Sequence, residues 1–325
     1  MFDSGSLIEF LNIYLVENLT QSIVAASIVL PLMVWLVRPA AARIRYLLVP
    51  LILPVLSPPL YYLAVPGRQE LWVIPLDRLL GLKQGLSFVM QWPAFTTVFG
   101  MALIVAAIYF LARGAVAVAA ASYLPRRYSG LPPGQQKRVN VILAPLLART
   151  GLRGPVILES PSPHLSCCAF GLRRPYLLVS RGLLESLDDE HLEGVVAHEL
   201  AHFLRRDQFL NLGLLALRSF FFFNPFVHLL CRGITHEQEL ACDALAIRLG
   251  QRPITYAESL VLVWRQAFRS PDTWERATFG FFTQPALVRR RVTAVLEMNS
   301  PEGSERRPLL FAVTAFLTFV LFFVC

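Results

Sequence analysis

The residues with the most chemical potential lie in one run, LDDEHLEGVVAHELAHFLRRD, which begins at Leu187. Asp188 or Asp189 can cap a helix start by accepting from its first free N–H groups. Leu192, Val195, Val196, Leu200 and Phe203 recur on one face, and Arg205 and Arg206 suit the negative end of a helix dipole. The spacing therefore predicts a helix through His198 and His202. Positions four apart stack on one face, so these two imidazoles can offer nitrogens to a single ion. Glu199 lies one step round, beside such an ion, where it can accept a proton from an attacking water. That is the physical content of HExxH.

A bare five-residue match also arises by chance, and a helical histidine pair can simply be packed. A catalytic zinc needs a third protein ligand and an open position. Residues 236–247, HEQELACDALAI, place Glu239 and Asp243 on one face of a second predicted helix. Glu239 suits the third ligand, and Asp243 suits an acceptor that orients a ligand histidine. Glu237 is the alternative ligand. Asp207 is either a partner for a ligand histidine or a charge at a helix end. His236 is either a stabiliser of the transition-state oxyanion or a solvated surface histidine. His164, His191 and His228 read as surface or interfacial residues. The segment Pro175–Ser180 reads as a short strand to which an extended substrate could add.

The rest of the chain must position these groups. Hydrophobic residues make up 55% of the 325 and charged residues 16%, below the charged share of soluble domains. The excess is gathered into blocks. Three are predicted to cross a membrane before the histidines, at about Leu19–Val37, Tyr46–Val65 and Ala94–Ala112, and a fourth after them at Pro308–Cys325. Prolines in the second are tolerable if neighbouring helices satisfy the freed backbone groups. The third continues past Arg113 as one helix to Leu124. Residues 66–92 read as a loop with an interfacial helix, and the stretch near 303 as a linker. The domains expected are thus 1–124 in the membrane, 125–307 as a water-facing peptidase domain and 308–325 as a last span. Arginines after the first block and basic residues at 126–138 place the peptidase domain in the cytoplasm of a bacterial-type inner membrane. The acidic start of the chain lacks the basic region of a cleaved signal peptide. The apolar stretch Phe209–Cys231 reads as a buried helical hairpin, with a dip into the bilayer as the alternative. Arg218 near its centre argues against a clean span.

The net charge of +8 is spread along the flanks of apolar blocks and does not point to nucleic acid. Five cysteines without a CxxC spacing point to reduced thiols, not to a disulfide framework.

The runs SCCAFGLRRPYLLVSRGLLES through HELAHFLRRD, then FFFFNPFVHLLC, HEQELACD and PALVRRRV, resemble the antirepressor-type membrane zinc peptidases over about residues 165–298. These are the catalytic parts of the beta-lactam sensor-transducer proteins. The resemblance implies His198, His202 and Glu239 as zinc ligands, Glu199 as base, and cytoplasmic proteolysis of a regulator with self-cleavage in some members. The chain is expected to depart from the sensor members in one way, by lacking an external penicillin-binding domain. The prenyl-protein and stress-type membrane zinc peptidases share the HExxH and ExxxD pattern.

The expectation is a mainly α membrane protein: about four transmembrane helices and a cytoplasmic zincin-like α+β metallopeptidase domain with a small sheet. One Zn2+ per chain is expected. The partners expected are a protein or peptide substrate and the lipid bilayer, with no nucleic acid and a homo-oligomer left open. A silent regulatory scaffold and a structural zinc site are the competing classes, and a fourth protein ligand would mark the latter.

Overall fold

The computed structural model describes residues 18–37, 39–64, 88, 92–171, 174–269, 285–298 and 307–323. The interfacial helix expected within 66–92 and the linker near 303 fall almost wholly outside these residues. Eleven helices and three strands are present among them. The chain divides into two compact units, one of residues 1–114, 214–237 and 303–325, the other of 115–213 and 238–302.

In the first unit, α1 (Asn18–Leu36), α2 (Ala40–Ala64) and α11 (Arg307–Phe323) share an apolar core of Ala25, Val29, Tyr46, Val313 and Leu317. Proline interrupts α2 without breaking it, for a specific reason. Pro58 lacks the N–H that would bond the carbonyl of Pro54. The Asn18 side-chain amide donates to that carbonyl instead, at 3.1 Å. Asn224 fastens the next strand of this network: its amide donates to Asn18 Oδ1 at 2.8 Å and Ser22 Oγ at 2.9 Å. Its own Oδ1 accepts from Phe226 N at 2.9 Å, which starts α8 (Pro225–Arg248).

Two helices among the described residues are long and apolar enough to cross a membrane, Asn18–Trp35 and Ala40–Ser57. Four spans were expected. The third block does form one helix, α3 (Pro93–Arg127), but its apolar part, Gly100–Val116, is shorter than the first two. The last, α11, is described over 17 residues. The hairpin expected to be buried is not wholly so. In α7 (Asp207–Phe220) and the start of α8, Phe209, Leu212, Phe220 and Leu229 are exposed, because the amphipathic helices turn only one face inward.

The second unit holds the histidine helix. Helix α4 (Pro133–Thr150) begins on a proline and ends at Gly151, whose φ of 66° closes the last turn. Strands β1 (Val156–Ser160), β2 (Cys167–Phe170) and β3 (Tyr176–Ser180) form a sheet in the order β1-β3-β2. β1 runs parallel to β3, and β2 runs antiparallel to it with Ala169 opposite Leu177. The strand read from the sequence is therefore the central one. Both its edges are paired, so it cannot accept a substrate strand. β2 is an edge strand. Gly171, in the turn after β2, has a φ of 101°, and a Cβ there would lie 2.1 Å from the Arg174 carbonyl oxygen. α5 (Arg181–Ser186) follows β3 directly, capped by Ser180.

α6 (Asp189–Arg205) starts where expected. Asp188 accepts from His191 N at 2.9 Å, and the helix ends at Arg206 in the left-handed conformation. Leu192, Val196 and Leu200 are fully buried in a core with Leu177 and Val179 of β3 and Val139 and Leu146 of α4. α9 (Pro253–Arg269) crosses α6 at Gly194, where an added Cβ would lie 3.2 Å from Ser259 Oγ and 3.3 Å from the Tyr256 ring. α10 (Pro285–Leu296) closes the unit with Val295 in the core.

Candidate active site

His198 and His202 lie a turn apart on α6, and Glu239 comes from α8. Ligand atoms of the three lie within 4.8 Å of one another. The details of that meeting decide what it can hold. His198 Nε2 is 3.3 Å from Glu239 Oε2, and His202 Nε2 is 3.6 Å from Glu239 Oε1. The opposite ring nitrogens are already engaged. His198 Nδ1 is 2.9 Å from the Tyr256 hydroxyl and 3.2 Å from Asp243 Oδ1. His202 Nδ1 is 2.9 Å from Asp207 Oδ2. Each imidazole is thus oriented from behind by a carboxylate, and both Nε2 atoms face the third carboxylate. Metal-binding histidines need this arrangement, because the outer partner fixes ring and tautomer. Two imidazoles and one carboxylate form a donor set suited to zinc, and among the described residues no fourth ligand atom joins this group. The residues fit the group that the sequence implies.

Glu199 points to the sheet. Its Oε2 accepts from Ala169 N of β2 at 2.8 Å. Burial pushes its carboxyl up, against the pull of His202 and His198. A carboxylate with raised proton affinity beside two imidazoles is suited to general-base work.

The electrostatics of the cluster centre on a residue that the motifs did not single out. Arg291 of α10 donates from Nε to Asp243 Oδ2 at 2.8 Å and from Nη2 to Asp243 Oδ1 at 2.7 Å. Its Nη1 lies 3.1 Å from Glu239 Oε2. Burial works to raise the Glu239 carboxyl, but Arg291 and then the histidines outweigh it and hold it at about 2. Asp243 is held well below the usual carboxylate range against the same burial, again chiefly by Arg291. Burial pushes the His198 imidazole down, yet Asp243 and Glu239 overcome this and bring it up to about 10.

The structure brings together six of the seven residues picked from sequence, counting Asp243 and Asp207 beside their histidines. His236 and Glu237 fall in the first unit, and Glu237 lies 3.5 Å from Arg43 Nη1. Arg291, Tyr256 and Ala169 were missed. A backbone donor such as Ala169 N carries no side-chain signal. Tyr256 reads as an ordinary core aromatic. Arg291 did carry a signal: Val288, Arg291, Val292 and Val295 share the helical spacing of an inward face, whereas Arg289 and Arg290 are exposed.

The family profile described as BlaR1 peptidase M56 matches residues 86–295. The chain is similar to the regulatory protein BlaR1 of Bacillus licheniformis, at 26% identity over 51% of this chain and 26% of that protein. It is similar to a protease HtpX homolog of Gemmatimonas aurantiaca, at 28% identity over 52% of this chain and 73% of that protein. BlaR1 of Staphylococcus aureus aligns at 24% identity over 51% of this chain and 28% of that protein. The chain thus matches little more than a quarter of the length of the BlaR1 relatives.

Proposed function

The chain belongs to the BlaR1 peptidase M56 family of membrane metallopeptidases, and from that premise we propose that it is a zinc-dependent metalloendopeptidase acting on a cytoplasmic regulator or a membrane protein. One observation carries the reading. Both Nε2 atoms and Glu239 converge on a single position, the Nδ1 atoms are taken by Asp243, Tyr256 and Asp207, and Glu199 stands beside the rings.

His198, His202 and Glu239 would hold the ion. Zinc there supplies a Lewis acid for the scissile carbonyl and lowers the pKa of water. Glu199 takes the proton of the attacking water and returns it to the leaving amine. Ala169 N–H aims the Glu199 carboxylate from the sheet side. Because β3 is paired on both sides, an extended substrate adds instead along the outer edge of β2, on which the Ala169 N–H is held by Glu199. Asp243 and Asp207 are buried and Glu199 is half-buried, which limits competition from bulk water for these contacts.

The fuller architecture is part of the same proposal: four spans, with the peptidase unit facing the cytoplasm. The exposed apolar surface of α3, with Ile104, Val105, Ile108 and Leu111, supports a lipid-facing helix. Self-cleavage and a signalling role are the regulatory form of the activity. A quality-control role on membrane proteins is the second reading, favoured by the alignment to most of an HtpX homolog.

The test compares wild type with Glu199→Ala in detergent, measuring zinc per chain and cleavage of the chain itself and of unfolded casein. About one zinc in both, with cleavage by wild type alone, supports the proposal. Zinc in both without cleavage points to latency or a structural site. Absence of zinc from both refutes it.

A further inference from the structure

Glu239 and Asp243 stand four residues apart on one face of α8, and both side chains are buried. Two buried carboxylates a turn apart repel each other and lose hydration, so the fold must supply a cation. The guanidinium of Arg291 does so with all three nitrogens, two on Asp243 and one on Glu239. The planar fork pairs Asp243 bidentately while its third nitrogen reaches Glu239, a geometry that the point charge of an ammonium does not reproduce. Val295, one turn further along α10, is fully buried in the core of the peptidase unit.

We propose that Arg291 is a positioning residue that holds Glu239 and Asp243 in their ligand-forming arrangement independently of the ion, so that the metal site is built by the fold and does not assemble around zinc. The inference rests on the zinc reading above. It follows that the grip on Glu239 Oε2 directs Oε1 toward His202, while the grip on Asp243 sets the carboxylate that orients His198. A zinc-organised site behaves differently, because there the metal itself supplies folding energy. Here the guanidinium already neutralises the ligand carboxylate, and stripping the ion leaves the three ligands in place.

The experiment measures thermal unfolding of the full chain in detergent, zinc-loaded and chelator-stripped, for wild type, Arg291→Met, Arg291→Lys and Val295→Ala. The quantity read is the gap between loaded and stripped melting temperatures. In Arg291→Met the stripped protein keeps two uncompensated acids, and the gap widens by about 6 °C or more, as expected for one lost partner of a buried ion pair. Arg291→Lys widens it less, since one contact survives. Val295→Ala lowers both temperatures and leaves the gap unchanged, as any packing defect of α10 would. Equal lowering of both temperatures in Arg291→Met overturns the proposal and leaves the zinc reading intact. If Arg291→Met does not fold, Arg291→Lys decides: a gap equal to that of wild type overturns the proposal. Failure of wild type to bind zinc overturns both.

Discussion

Replacing Tyr256 by Phe removes one oxygen and leaves the ring that packs against Gly194. That oxygen donates to Asp243 Oδ1 at 2.7 Å and sits 2.9 Å from His198 Nδ1. Without it, His198 retains only Asp243, at 3.2 Å, to fix its ring. Loss of an outer partner of a ligand histidine costs 10–100-fold in metal affinity. Because Asp243 remains, the effect falls near the lower end, about tenfold or about 1.4 kcal/mol. Stability changes little more than that. Asp243 keeps both bonds to Arg291, so no buried acid is orphaned, and a hydrogen bond to a charged group is worth about 1.5–3 kcal/mol. The assay is zinc competition against a chelator of known affinity, with a melting curve to confirm folding. An affinity within twofold of wild type would refute the claim that Tyr256 orients His198. A weakened affinity in a protein that still unfolds cooperatively, with a melting temperature lowered by no more than the loss of that one bond implies, would support it.

Two further outcomes follow from the packing of α6. Gly194→Val drives new atoms into Ser259 and the Tyr256 ring, which are 3.2 and 3.3 Å from a Cβ at that position. Overpacking costs about 1–3 kcal/mol, and because Tyr256 is displaced, zinc competition should show weakened binding together with the lowered melting temperature. Asp188→Ala removes the cap of α6, worth about 1 kcal/mol, or roughly 2–4 °C in a unit of this size. The Asp188 carboxyl is held below its usual value by the His191 backbone N–H and then by the His191 side chain. A depressed carboxyl stabilises fully above its unfolded pKa of about 3.9 and loses that contribution as pH falls through the native value. The melting-temperature gap between wild type and Asp188→Ala should therefore shrink below about pH 4, and Asp188→Asn should show a gap insensitive to pH.

Legibility in the sequence tracked how local the determining physics is. α6 was readable to within a residue because its cap candidates, apolar face and terminal cations all lie within it or directly beside it. His198, His202, Glu239 and Asp243 were readable because helical spacing alone puts each pair on one face. What joins the pairs was not local. Arg291 sits 48 residues from Asp243 and directly follows two exposed arginines, Arg289 and Arg290, so only its place on the inward stripe of α10 distinguished it. The sheet showed the same limit. Tyr176–Ser180 announced a strand through its composition, but its central place depends on β1 and β2, whose pairing no single segment specifies. The apolar hairpin, expected to be buried, is so on one face only, because hydrophobicity reports the wish to leave water and not the surface that covers it.

The turn after β2 has a consequence for how such proteins can diverge. Residue 171 touches no ligand, yet its backbone conformation and the carbonyl 2.1 Å from its missing Cβ admit glycine alone. Two positions earlier stands the amide that engages Glu199. The vocabulary permitted at 171 is thus a single letter, as narrow as that of any chemical group in the site. A search pattern written only from HExxH and ExxxD discards that information. One that begins at Ala169-Phe170-Gly171 keeps a geometric requirement in the query, and separates chains that can aim the base from chains that merely spell it.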